Sequence, residues 1–274
     1  MKQLTDRVAV VTGAGSGIGR ATSLRLAAAG CHLALVDINE QGLNETASSV
    51  RSIGRNASTH IADVSNAERM FALPEEVLGA HHAVHILVNN AGVTSVGRFE
   101  EESLEDLQWI VGINLWGVVH GCKAFLEHLR AADEAHIVNL SSMAALVGFP
   151  LTASYSLTKG GVRLFSEALR AELRNTNVGV TSMHPGAIDT NIIHAARGAT
   201  ASQFQGMAAS RFRGVLMRKP DAVAKKIQRA IEHDRPRVLV GPDAHLVDFL
   251  ARVLPGRSGL LGKLVDRAFP RASE

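Results

Sequence analysis

Apolar residues along the chain alternate between short β-branched runs and longer stretches in which they return every three or four positions. The two periods predict strands and helices in turn. Residues 7–12, Arg-Val-Ala-Val-Val-Thr, are almost wholly apolar, which suits a strand buried on both faces of a parallel sheet. Further strand patterns, some more polar, lie at 32–36, 56–61, 84–88, 135–140, 178–183 and 237–240. Helical patterns fill the intervals at 20–29, 40–53, 66–80, 103–130, 154–174 and 221–233. The 103–130 pattern keeps Leu107, Ile110, Leu115 and Val118 on one side and predicts a single long helix. Strand and helix in alternation imply an α/β domain with a parallel, doubly wound sheet. No break in composition divides residues 1–241.

Two stretches fall outside this rhythm. Residues 190–217 are rich in Ala, Gly and Ser, carry Arg197, Arg211, Arg213 and Arg218, and form an excursion of the kind that serves as a lid. Residues 242–274 are expected to be a C-terminal helical extension of the same domain. There Leu246, Val247, Phe249, Leu250, Val253 and Leu254 share one helical face before Pro255, and Leu260, Leu261, Leu264 and Val265 outline a second. The expected role of this face is packing on its own or a neighbouring subunit. Contact with a membrane surface is the alternative, because cationic amphipathic segments also sit on lipid.

Composition narrows the class. The chain has 274 residues, 46% hydrophobic and 20% charged, which fits a globular enzyme rather than a disordered or membrane-embedded protein. Its net charge of +3 resides in residues 251–274, where five basic residues face two acidic ones. With no basic stripe elsewhere, nucleic-acid binding has little support. Cys31 and Cys122 sit in apolar settings far apart, so buried free thiols are expected, as in a reducing cytoplasm. The N-terminus reaches its first strand pattern without the apolar core of a signal peptide, and no run approaches the ~18 apolar residues of a spanning helix. A cytoplasmic location is therefore expected.

Candidate chemistry falls where strands end. Strand, glycine turn and helix over residues 7–29 form a phosphate cradle, because glycines admit a pyrophosphate close to the backbone and the helix N-terminus offers free amides. Asp37, 18 residues beyond Gly19, stands at the end of the second strand, where a carboxylate accepts both hydroxyls of an adenosine ribose and repels a 2′-phosphate. NAD is thus expected over NADP. Asn89-Asn90-Ala91-Gly92 closes the fourth strand, Asn114 lies inside a helical pattern, and Ser141 and Ser142 end the fifth strand. Tyr155, the only tyrosine, precedes Lys159 by four residues, one helical turn. A nearby ammonium favours phenolate, so Lys159 is expected to lower the Tyr155 pKa. His81, His82 and His85 lack a Cys or carboxylate in ligand register, and no metal site is expected.

Five motifs in order, Thr12-Gly-Ala-Gly-Ser-Gly-Ile-Gly19, Asp63-Val64, Asn89-Asn-Ala-Gly92, Ser142 with Tyr155-Ser-Leu-Thr-Lys159, and Pro185-Gly186 with Thr190, resemble a classical short-chain dehydrogenase/reductase over residues 7–241. The resemblance implies a seven-stranded Rossmann sheet flanked by helices and a catalytic tetrad of Asn114, Ser142, Tyr155 and Lys159. It further implies cofactor contacts from Gly13, Ser16, Ile18 and Gly19 at the phosphates, Asp37 at the ribose, and Asp63 and Val64 at adenine. Asn90, Ala91 and Gly92 would line the strand edge, with Pro185, Gly186, Ile188 and Thr190 near the carboxamide; Tyr155 and Lys159 also meet the cofactor. The expected activity is NAD-dependent interconversion of an apolar secondary alcohol and a ketone, cyclic or steroid-like, by a homodimer or homotetramer. The alternatives are an NADPH-dependent 3-oxoacyl reductase and a non-catalytic dinucleotide-binding scaffold.

Overall fold

The computed structural model describes residues 1, 3–190, 192, 195–202 and 217–256. Seven parallel strands form one sheet: β1 (Val8–Thr12), β2 (His32–Asp37), β3 (Ala57–Ile61), β4 (Ile86–Asn89), β5 (Ala135–Leu140), β6 (Val178–Pro185) and β7 (Arg237–Val240). Their spatial order is β3-β2-β1-β4-β5-β6-β7, so the winding reverses between β1 and β4. At such a reversal neighbouring loops diverge and leave a crevice beyond the strand ends.

The described residues form eight α-helices around the sheet: α1 (Gly17–Ala28), α2 (Glu40–Ser52), α3 (Ala67–His81), α4 (Leu104–Val111), α5 (Gly117–Ala131), α6 (Ala153–Glu172), α7 (Pro220–Glu232) and α8 (Pro242–Val253). Successive strand residues point to opposite faces. Ala9, Val11, Leu33 and Leu35 join a core under α1, α2 and α7, while Val10, Ala34, Val36 and Leu87 join a second core under α3, α5 and α6. Residues of β1 are therefore buried throughout, which explains the unbroken apolar run. Cys31 and Cys122 are both buried free thiols, and burial pushes each up to about 12. His81 bonds Ser58 Oγ at 2.9 Å, and His85 Nδ1 accepts from Val8 N at 3.1 Å.

Two expectations change, and a third is narrowed. The single helix over 103–130 is interrupted: a π-helical turn, Gly112–Trp116, separates α4 from α5, with Gly117 N donating to Gly112 O. Taken together, Leu104–Ala131 is long and apolar enough to cross a membrane by length and composition, contrary to the sequence reading. Here Ile110, Val118, Phe125 and Leu129 from this stretch are buried in the domain. Among the described residues nothing covers the apolar face of α8, where Leu246, Phe249 and Val253 are exposed, Phe249 by 60%; of the two expected roles, packing on its own or a neighbouring subunit, this leaves the second open. The second tail segment at Leu260–Val265, most of the lid, and Arg211 and Arg213 lie outside the described residues.

Candidate active site

The glycine loop and the end of β4 are joined by one hydroxyl. Thr12 Oγ1 accepts from Asn90 N at 2.9 Å and from Ala91 N at 3.0 Å, while Asn90 Nδ2 donates to Thr12 O at 2.8 Å. Gly13 has φ +67°, where a side chain is strained, and a Cβ on Gly19 would overlap the Gly13 carbonyl. Above this floor opens a cavity of about 330 Å³. Gly13, Ser16, Ile18, Asp37, Asp63, Val64, Asn90, Ala91, Gly92 and Thr190 are among the residues that line it. The structure thus gathers ten of the sequence-selected cofactor residues around one space. Gly19 lies beneath it as a packing residue. Pro185 and Gly186, at the end of β6 and just beyond it, do not line this cavity; Gly186 N donates to Val240 O at 2.9 Å. Ile188 is buried and makes an isolated backbone bridge with Arg218.

These residues fit a dinucleotide. Ser16, at the N-cap of α1, makes no side-chain capping bond and the first turn holds no acidic residue, so the helix offers its amides and dipole to an anion. The Asp37 carboxylate accepts from Gly15 N at 2.8 Å and Asn39 N at 3.0 Å. Each oxygen keeps further lone-pair capacity for a ribose hydroxyl. Trp109, Ile113, Ile192 and Ala195 add an apolar wall that motif reading did not identify.

Of the tetrad, Asn114 and Lys159 meet beside Gly92. A Cβ on Gly92 would stand 3.1 Å from Asn114 Oδ1 and 3.4 Å from Lys159 Nζ. Asn114 is buried in the π turn, where its side chain accepts from Val93 N at 2.8 Å and donates to Val93 O at 2.9 Å. Its amide also donates to Thr158 Oγ1 at 3.2 Å. Lys159 Nζ is 5.9 Å from the Tyr155 ring centroid and donates to Leu140 O at 2.9 Å. Burial pushes Lys159 down to about 8. Burial also raises the Tyr155 phenol above its ordinary value, opposed by a hydrogen bond from Ser142. The net shift is therefore opposite to the expected lowering: loss of hydration at the phenol outweighs the bond from Ser142.

His184 is a positioning group that the motifs did not single out. It is buried, with Nδ1 3.1 Å from Ser142 O and Nε2 3.0 Å from Ser182 Oγ. Ser142 O can only accept, so Nδ1 carries the proton and Nε2 accepts from Ser182. Burial pushes His184 down to about 4, which keeps this neutral tautomer at physiological pH. In the sequence His184 stands just before Pro185-Gly186, and only the folded chain shows that it reaches Ser142 O.

The parallel sheet, the phosphate cradle at its reversal and the clustered tetrad define a dinucleotide-dependent oxidoreductase fold, and the short chain dehydrogenase family model matches residues 7–200. The chain belongs to the short-chain dehydrogenase/reductase family. It is 37% identical over 256 residues to a Mycobacterium tuberculosis protein, SadH, that carries the name of an oxidoreductase, covering 93% of each chain. It is 35% identical over 190 residues to a cyclopentanol dehydrogenase of Comamonas, covering 69% of this chain and 76% of the relative. A crystal structure of a Burkholderia phymatum family member in complex with NAD superposes with a TM-score of 0.81 at 29% identity, covering 100% of this chain and 99% of that one.

Proposed function

We propose that this protein is an NAD-dependent dehydrogenase that interconverts an apolar secondary alcohol and its ketone. The observation that carries the reading is the pairing of Tyr155 and Lys159 on successive turns of α6, with Lys159 Nζ 5.9 Å from the phenol ring and close to Gly92, which lines the same cavity as Asp37. NAD, when bound, supplies the hydride acceptor. Glycine-loop amides would hold its phosphates, Asp37 its adenosine ribose, and Lys159 its nicotinamide ribose. In oxidation Tyr155 takes the proton of the substrate hydroxyl; in reduction it returns one to the carbonyl oxygen. Ser142 holds that oxygen and stabilises its developing charge. Asn114 anchors a water that relays protons between Lys159 and solvent. The apolar wall of Val93, Trp109, Ile113 and Ile192 suits a substrate without charge, and similarity to a cyclopentanol dehydrogenase makes cyclic alcohols the first to try. A homo-oligomer, closed through the exposed apolar face of α8, is part of the same proposal.

Binding and turnover test it together. NAD is expected to bind more tightly than NADP, with the preference reduced in Asp37→Ala; tighter NADP binding by the wild type would overturn the cofactor assignment. On a panel of cyclic, steroidal and aliphatic secondary alcohols, turnover is expected to fall at least about a thousandfold in Tyr155→Phe. Retained activity in that variant sinks the mechanism.

A further inference from the structure

The loop after β4 is gripped from four sides. Asn114 holds Val93 at both backbone groups. Lid residues 195–202 form a strap along it: Arg197 N donates to Thr94 O at 3.2 Å, Val96 N donates to Arg197 O at 2.9 Å, and Thr200 N donates to Val96 O at 3.2 Å. Gly97 N donates to Leu151 O at 2.9 Å, just upstream of α6. The fourth grip is Glu102. One of its carboxylate oxygens accepts from Ser95 Oγ, and the other accepts from Ser154 Oγ, the hydroxyl of the residue immediately before Tyr155.

We propose that Glu102 is a positioning residue for Tyr155, its carboxylate tying the strap-bearing loop to the first turn of α6 so that the seating of the strap on Ser95 fixes where the phenol stands. The proposal rests on the reading of Tyr155 as the acid/base. Ser95 and Ser154 are both buried, so their hydroxyls meet a charged acceptor where water competes little, and charge-assisted bonds are the strong kind. Thr152 begins α6 without a side-chain cap, and Glu102 brings negative charge to that helix end from another segment. The strap is latched on its far side as well: the Arg197 guanidinium lies 4.1 Å over the Trp109 ring and pairs with Asp106 at 3.4 Å. Because Trp109 lines the cofactor cavity, strap, cavity wall and phenol belong to one connected arrangement.

Glu102→Ala and Glu102→Gln separate positioning from simple stabilisation. Glutamine can accept from one serine and donate to the other, whereas alanine removes the bridge. With cyclopentanol, or the panel alcohol turned over fastest, kcat in Glu102→Ala is expected to fall roughly tenfold or more while KM for NAD stays within about twofold, and Glu102→Gln recovers most of kcat. Independently of turnover, amide hydrogen exchange read by mass spectrometry is expected to accelerate together at 94–97 and 153–157 in Glu102→Ala and to return toward wild type in Glu102→Gln. Wild-type kcat in Glu102→Ala, or faster exchange confined to one segment, overturns the proposal. If Glu102→Ala fails to fold, Ser154→Ala cuts one arm of the bridge and must lower kcat in the same way; unchanged kcat there also overturns it. If the wild type oxidises no alcohol, the dehydrogenase reading fails by itself, and the exchange measurement still decides whether the bridge exists.

Discussion

Lys159 illustrates how a single residue can serve chemistry at the expense of stability. Its ammonium is buried, and its pKa is pushed from 10.5 down to about 8 by lost hydration. Between those two values the unfolded chain holds a proton that the folded chain has released, so stability rises with pH across that window and is lowest below it. Lys159→Met is therefore expected to stabilise the cofactor-free protein at pH 7 by about 1–3 kcal/mol, or several degrees in Tm, less whatever the lost bond to Leu140 O costs. The same variant should flatten the rise in Tm between pH 8 and 10.5 and turn over no alcohol. A lower Tm at pH 7 would show that the ammonium is solvated by its surroundings. The Tyr155–Lys159 pair was legible from spacing alone, but the balance at the phenol was not, because periodicity does not report how deeply a group is buried. Glu102 and His184 were illegible for another reason: the partners that tie them to the site, Ser154 and Ser142, lie 52 and 42 residues away.

At the scale of elements, the sequence reading located all seven strands and the order of helices; β1, buried on both faces, reads as an unbroken apolar run, whereas β3, Ala-Ser-Thr-His-Ile at the sheet edge, was legible from its place in the alternation. It missed the π turn at Gly112–Trp116, because one widened turn leaves the apolar side of the helix nearly continuous. That turn carries Asn114, whose side chain satisfies Val93 N and O at the start of the loop that bears the strap. Asn114→Ala strips the side-chain partner from both groups and is expected to cost about 2–4 kcal/mol in urea unfolding, with a parallel loss of kcat. A cost below about 0.5 kcal/mol would mean that water replaces the amide without penalty.

On the scale of the whole molecule, the exposed residues Leu246, Phe249 and Val253 of α8 give the domain an apolar face beyond β7, where the sheet has an edge. A face that pairs with its own copy about a two-fold axis closes a dimer, and a second such face closes a tetramer. Phe249→Glu is expected to halve the mass measured by light scattering, whereas an unchanged mass removes α8 from the contact. The tail face was legible as an amphipathic period; that it remains exposed on the single subunit was not, since periodicity identifies an apolar side without identifying what covers it. The strand order also sets a timetable. Val11 pairs with Val88, 77 residues further along, so a growing chain makes the glycine loop long before the strand that supplies its floor. Until β4 emerges, β1 presents an open apolar edge, and β1 to β3 are the part of the nascent chain most in need of shielding from other chains.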